Sequence, residues 1–314
     1  MWNLRRIAVP LAVCIATVGP TACGGDARET GRPAVAAAPT FDPDALVERA
    51  AGPSVAARMG RIDARATFTL QGVPPGYRAF SAGVSGPFRY RKDASLPDYD
   101  LEIGARDYGV QLTSVGGRSY VSLGSTGYAL PDAVRRRLVR SAAKGRNGLT
   151  RTLEQFGIAP WRWETDRVAA GTGRLDGVEV RHVTTGANVG RILRDANTLL
   201  GFMRSLGLTR AIGLPSEIGP QARRAIGRSV RTFAAGSWVG TKDGVLRRSR
   251  LDMSFVVPKV RQAAVGGITR GRVVAELNVT EVGRRQPIAA PATLGRFADF
   301  AVGLDALGDA QDSR

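Results

Sequence analysis

Residues 64–71 read ARATFTLQ. Ala64, Ala66, Phe68 and Leu70 alternate with Arg65, Thr67, Thr69 and Gln71, and a period of two puts one set on each face of a strand. The rhythm returns in Phe80, Ala82, Val84, Phe88 and Tyr90, then in Tyr99, Leu101, Ile103 and Ala105. Val110 and Leu112, Val121 and Leu123, and Val178 and Val180 continue it, as do residues 245–255 and Val273, Ala275, Leu277 and Val279. Repetition over so many segments constrains the fold more than anything else in the chain. It requires half-buried antiparallel strands, each with one wet and one dry face. The turns agree: Gly116-Gly117 and Lys242-Asp243-Gly244 each separate two such runs, as hairpins demand.

The dry face needs a cover, and four helical segments can supply it. Residues 131–144, 149–156 and 221–230 are three of them. The fourth, 188–206, is the clearest, because Ile192, Ala196, Leu199, Leu200, Met203 and Leu206 recur at helical spacing. The order is strands, helices, one strand, helices, strands. The expected fold class is α+β, with helices on one face of an antiparallel sheet.

The N-terminus carries an address. Arg5 and Arg6 precede thirteen uncharged residues, 7–19, and then Pro20-Thr21-Ala22-Cys23. A basic start, a short apolar run and a small-residue cleavage site make a secretory signal. The run is shorter than the roughly 20 residues of a spanning helix. Both cysteines of the chain lie in the first 23 residues. Cleavage before Cys23 would leave one thiol and no disulfide, which favours Cys23 as a lipid attachment point on the extracytoplasmic face of the cell membrane. An ordinary signal peptide, with Cys23 incidental, is the alternative. The expected organisation is a signal peptide at 1–22, a Gly/Ala/Pro-rich tether at 23–43, one domain at 44–308 and a polar tail at 309–314.

Little catalytic chemistry is legible. The single histidine, His182, shares its strand phase with Val178 and Val180 and reads as a core residue. No second histidine or cysteine in the domain could complete a zinc site, and no nucleophile elbow or P-loop occurs. The expectation is a non-enzyme with no cofactor and no metal. An accessory hydrolase with paired carboxylates stays open as a minor reading.

The formal charge is +18, or +16 after Ala22, and only four of the 45 basic residues are lysine. Arg135, Arg136, Arg137, Arg140 and Lys144, with Arg146 and Arg151 close behind, form one dense patch. Such a patch attracts anions. Outside the cytoplasmic membrane these are phospholipid headgroups and acidic wall polymers rather than nucleic acid, so the first five are headgroup-docking candidates.

Four stretches carry a family likeness: SGPFRYRKDASLPDYDLEIGA (85–105), GGRSYVSLGSTGYALPD (116–132), LDGVEVRHVTTGANVGRILRD (175–195) and SWVGTKDGVLRRSRLDMSF (237–255). With the Cys23 signal and the tether, they resemble actinobacterial cell-envelope lipoproteins of the LppX/LprG kind, and more distantly the LolA/LolB carriers. Pro20 departs from the usual lipobox, which has Leu or Val at that place. The resemblance implies a strongly curved half-barrel sheet whose concave side is roofed by helices. It also implies an apolar cavity between them that carries a lipid or glycolipid by its acyl chains. Candidate lining residues are then Phe68, Leu70, Val84, Leu101, Ile103, Val110, Leu112, Ile192, Leu199, Leu200 and Met203. The other reading is a scaffold lipoprotein with a filled core that binds wall polymer or a membrane partner through its arginines.

Overall fold

The computed structural model describes residues 41–53, 56–105, 108–211 and 214–312. The segments expected as signal peptide and tether, up to residue 40 and with Cys23, lie outside them. Twelve strands form one sheet: β1 (Met59–Gln71), β2 (Ala79–Arg89), β3 (Asp98–Ala105), β4 (Tyr108–Val115), β5 (Arg118–Leu123), β6 (Thr126–Ala129), β7 (Glu164–Leu175), β8 (Val178–Ala187), β9 (Val230–Gly240), β10 (Leu246–Val256), β11 (Arg270–Thr280) and β12 (Thr293–Gly295). Their spatial order is β12-β6-β5-β4-β3-β2-β1-β11-β10-β9-β8-β7. Two meanders therefore meet where β1 pairs with β11. Every pairing is antiparallel except β12 with β6. The sheet is open, with β12 and β7 at its edges, and curved, as the family resemblance implied.

Helices occupy the connections that hairpins cannot make. α1 (Pro43–Ala51) precedes β1. α2 (Asp132–Ala142) and α3 (Gly148–Glu154) lie on the route from β6, beside one edge, to β7 at the other. α4 (Val189–Ser205), α5 (Leu208–Ala211) and α6 (Pro220–Gly227) form an excursion between the adjacent strands β8 and β9. α7 (Lys259–Gln262) joins β10 to β11, and α8 (Phe297–Asp312) follows β12. Hairpin chemistry is as the sequence suggested: Gly116 and Gly117 both take positive φ between β4 and β5, where a side chain would be strained.

Four boundaries differ from the sequence reading. The folded part starts earlier than Asp44, because the Asp42 side chain accepts from Asp44 N and Ala45 N and caps α1. α8 runs to Asp312, past the expected tail. The helix expected to reach Val230 stops at Gly227, and Val230 opens β9. Two strands, not one, separate the helical segments. β7 leaves little alternation in the sequence because it is an edge strand of small and polar residues with register shifts on either side of Val168. Asp166 at φ 49° belongs to the first irregularity. Bulges of this kind spoil an edge for pairing with other chains.

The buried residues form two clusters on the helix-covered face. The larger joins Ile62, Val84, Phe88, Leu101, Leu112 and Val121 of the sheet to Leu138, Leu153, Phe202, Met203 and Phe300 of the helices and to Phe156 in the turn after α3. The smaller joins Leu251, Met253, Phe255, Val257 and Val265 to Ala225 of α6. His182 is not among them. The covered face of β8 carries Val183, which is fully buried, so His182 points to the other face. There it stacks on Trp238 at 4.2 Å between ring centroids, nearly parallel.

Candidate functional site

Between the two clusters runs a strip of sheet that neither covers. On β1 the covered face is Ile62, Ala64, Ala66, Phe68 and Leu70, as the alternation predicted. Ile62 is wholly buried, and Ala64 and Leu70 pack on the larger and smaller cluster respectively. Ala66 and Phe68 join neither cluster and stay partly exposed. Phe80 of β2 pairs directly with Phe68. The two rings stack 4.7 Å apart at 13°. Ala82 and Ala275 flank Ala66 on either side. Small side chains beside one aromatic pair make an apolar trough rather than a filled core.

α4 spans this trough. Its first turns meet the smaller cluster through Val189 and Ile192, and its last meet the larger through Leu199, Phe202 and Met203. Ala196 and Leu200 are partly exposed and join neither cluster. Near the same strand ends as Phe80, a narrow apolar pocket of about 350 Å³ of empty space, its mouth included, opens between β3, β4, α4 and α5. Ile103, Ala105, Tyr108, Val110, Met203 and Leu208 line it. The sequence candidates thus separate. Ile103, Val110 and Met203 line the pocket, Phe68 lies in the trough, and Leu200 is on the helix between the clusters. Leu70, Ile192 and Leu199 sit at cluster margins, whereas Val84, Leu101 and Leu112 are sealed in the larger core. The sequence reading did not single out Phe80, although its alternation places it opposite Phe68.

Polar contacts hold the N-terminal half of α4. Trp163 Nε1 donates to Asp195 Oδ2 at 2.7 Å, and Arg191 donates to the Arg162 carbonyl at 3.1 Å. Arg162 in turn pairs with Glu154 of α3 at 2.6 Å. Burial pushes the Glu154 and Asp195 carboxyls up, while Arg162 opposes the rise in each. These two acids are close enough to interact electrostatically; Asp195 ties α4 to Trp163, and Glu154 holds Arg162, whose carbonyl accepts from Arg191 of α4. Burial likewise raises Glu164, against the pull of Ser237 and Arg167, which donate to it. Among the described residues no group of three or more His, Cys, Asp or Glu could hold a metal ion.

The basic patch on α2 is divided. Arg137 leaves the docking set, because it donates to the Gly201 and Thr198 carbonyls of α4 at 3.2 and 3.4 Å. Arg135 pairs with Asp132 at 3.6 Å. Arg136, Arg140 and Lys144 remain exposed, four residues apart and so on one helical stripe. Arg151 lies over the Tyr90 ring at 4.8 Å. Among the described residues no helix is long and apolar enough to cross a membrane.

No protein-family model matches the sequence, and no curated protein matches it either. Solved structures do. LprF from Mycobacterium bovis aligns at 10% identity over 81% of this chain and 99% of its own, with a TM-score of 0.40. The lipoprotein LppX from Mycobacterium tuberculosis gives 14% identity over 79% and 100%, with a TM-score of 0.35. A LolA superfamily protein from Nitrosomonas europaea gives 8% identity over 79% and 95%, with a TM-score of 0.22. These neighbours are of the groups that the sequence resemblance named.

Proposed function

We propose that the protein binds the acyl chains of a lipid or glycolipid between α4 and the curved sheet, and carries it within the cell envelope while anchored through acylated Cys23. The observation that carries this reading is the uncovered trough. Between two buried clusters, the sheet face keeps Phe68, Phe80 and Ala66 partly open to solvent under an amphipathic helix. Each methylene moved there from water contributes about 0.8 kcal/mol. That gain is close to what a bilayer offers, as a carrier that must also release its cargo requires. Widening of the pocket beneath α4 and α5 would let the trough take longer chains. Arg136, Arg140 and Lys144 suit the anionic headgroup of the cargo or an acidic wall polymer.

The test is mass spectrometry of lipids that co-purify with the chain bearing Cys23→Ser, so that no anchor acyl group is counted. One lipid per chain is expected. Phe68→Ser with Phe80→Ser, both partly exposed positions, should weaken its retention by about tenfold per ring while leaving thermal unfolding cooperative. An empty wild-type protein would overturn the carrier reading in favour of a scaffold.

A further inference from the structure

Three segments meet at the strand ends where the trough opens: the β1–β2 loop, the β10–β11 connection and the end of α6. Thr269 N donates to the Gln71 carbonyl at 2.9 Å, and Val257 N to the Thr269 carbonyl at 2.8 Å. Val256 N donates to the Ser229 carbonyl at 2.9 Å, and Val265 packs in one cluster with Ala225. The loops approach so closely that a Cβ on Gly72 would lie 2.2 Å from the Gly267 carbonyl oxygen. This is one continuous surface on a rigid base.

Its composition is uneven. Residues 70–80, 220–233 and 254–272 contain no aspartate or glutamate. They contribute Arg78, Arg224, Arg228, Arg231, Lys259 and Arg270, all exposed. None of these six is paired to a carboxylate among the described residues. From among them stands Val260, 91% exposed, in the single turn of α7 between Lys259 and Arg261. Val256 and Tyr77 are also exposed, at 46% and 37%. An aliphatic side chain held out on a short helix, inside a ring of cations without counter-charges, matches the layering of a bilayer interface. Apolar groups enter at acyl-chain depth and basic groups stay at the headgroups. A protein partner would more commonly bury an aromatic or otherwise larger apolar centre.

We propose that this strand end is a membrane-docking face, with Val260 entering an anionic bilayer and the surrounding arginines and lysine lying on its headgroups. It is distinct from the α2 stripe. It would bring the trough mouth, at Phe68 and Phe80, against the membrane. The proposal concerns docking alone and does not require a bound lipid.

The experiment uses the full chain with Cys14→Ser and Cys23→Ser, and one introduced cysteine carrying an environment-sensitive fluorophore. The positions are Val260→Cys, Arg140→Cys on α2, and Val168→Cys, 60% exposed on the far edge strand. Vesicles contain phosphatidylglycerol and phosphatidylcholine, or phosphatidylcholine alone. A blue shift and quenching by lipid-borne quenchers are expected at position 260 with anionic vesicles only. No shift at 260, or an equal shift at 140 or 168, overturns the proposal. Arg228→Gln with Arg231→Gln should weaken anionic-vesicle binding by about 25-fold at low salt, near fivefold per charge. Unchanged binding would overturn the role given to the cations. Because the readout is label depth, failure here is separate from failure to find a cargo lipid.

Discussion

Arg137 and Gly201 offer the sharpest test of how α4 is held. The guanidinium donates to two carbonyls of α4, at 3.2 and 3.4 Å. A Cβ placed on Gly201 would lie 3.0 Å from Arg137 Nη2. A mid-helix glycine costs roughly 1 kcal/mol relative to alanine, so Gly201→Ala alone should stabilise an isolated α4 by that amount. In the protein the new methyl must displace the guanidinium. Two long, charge-assisted hydrogen bonds at a partly exposed site contribute about 1–2 kcal/mol together. Gly201→Ala in the wild type should therefore be nearly neutral. Arg137→Met should destabilise by about 1.5 kcal/mol, keeping most of the aliphatic packing. In the Arg137→Met background, Gly201→Ala should recover about 1 kcal/mol. Urea unfolding of the four proteins, at constant m-value, measures the cycle. The predicted coupling is about 1 kcal/mol. A value within about 0.3 kcal/mol of zero would refute the contact, since sites that do not touch are additive to that precision.

Two further outcomes follow from single side chains. Burial holds the His182 imidazole below its ordinary value of about 6.5. The unfolded chain therefore protonates first as pH falls, and stability should decline from about pH 6.5 downward, a decline that His182→Gln abolishes. With one histidine in the chain, its imidazole NMR titration reports the shift directly, and a midpoint above 6.5 would reverse the sign. Asn147 caps α3, accepting from Thr150 N at 2.8 Å, and donates to the Ala50 and Gly52 carbonyls at the end of α1. Asn147→Ala removes a cap and leaves two buried acceptors, and should cost about 2–3 kcal/mol in denaturant unfolding. A loss under 0.5 kcal/mol would mean that water replaces the amide.

The strands were legible where one face is dry and the other wet. On β1 the apolar phase at Ala64, Ala66, Phe68 and Leu70 turns toward the helices as read. The same rule misplaced His182. On β8 the buried face carries Arg181, Val183 and Thr185, while Val180 is also buried on the opposite side, so hydropathy could not choose between the phases. α4 was found by its period, but the period marks one stripe. Leu193 and Phe202 are buried beside it. Arg137 looked like one of five equivalent surface cations. Its role depends on the crossing of α2 and α4, a long-range placement that no local pattern encodes. The purpose of Gly201 is hidden for the same reason: its missing side chain makes room for that arginine.

The divided core and the charged strand end are two effects of one choice of side-chain size. At the junction of the meanders the covered face is Ala66 between Ala82 and Ala275. Three methyl groups do not fill the space that leucines fill elsewhere under the helices. With larger residues there, the two clusters would fuse and α4 would become an ordinary core helix. As it is, α4 rests on cluster margins at its two ends and on polar ties through Asp195 and Arg137. Polar ties to exposed or half-exposed groups are worth little each in water, so the span over the trough is the part of the roof that can open locally at lowest cost. The trough beneath it reaches, at Phe68 and Phe80, the ends of β1 and β2, beside the carboxylate-free segments from which Val260 projects. An apolar trough opening beside a cation-ringed apolar tip places the weakest part of the roof closest to the surface that the tip is built to meet.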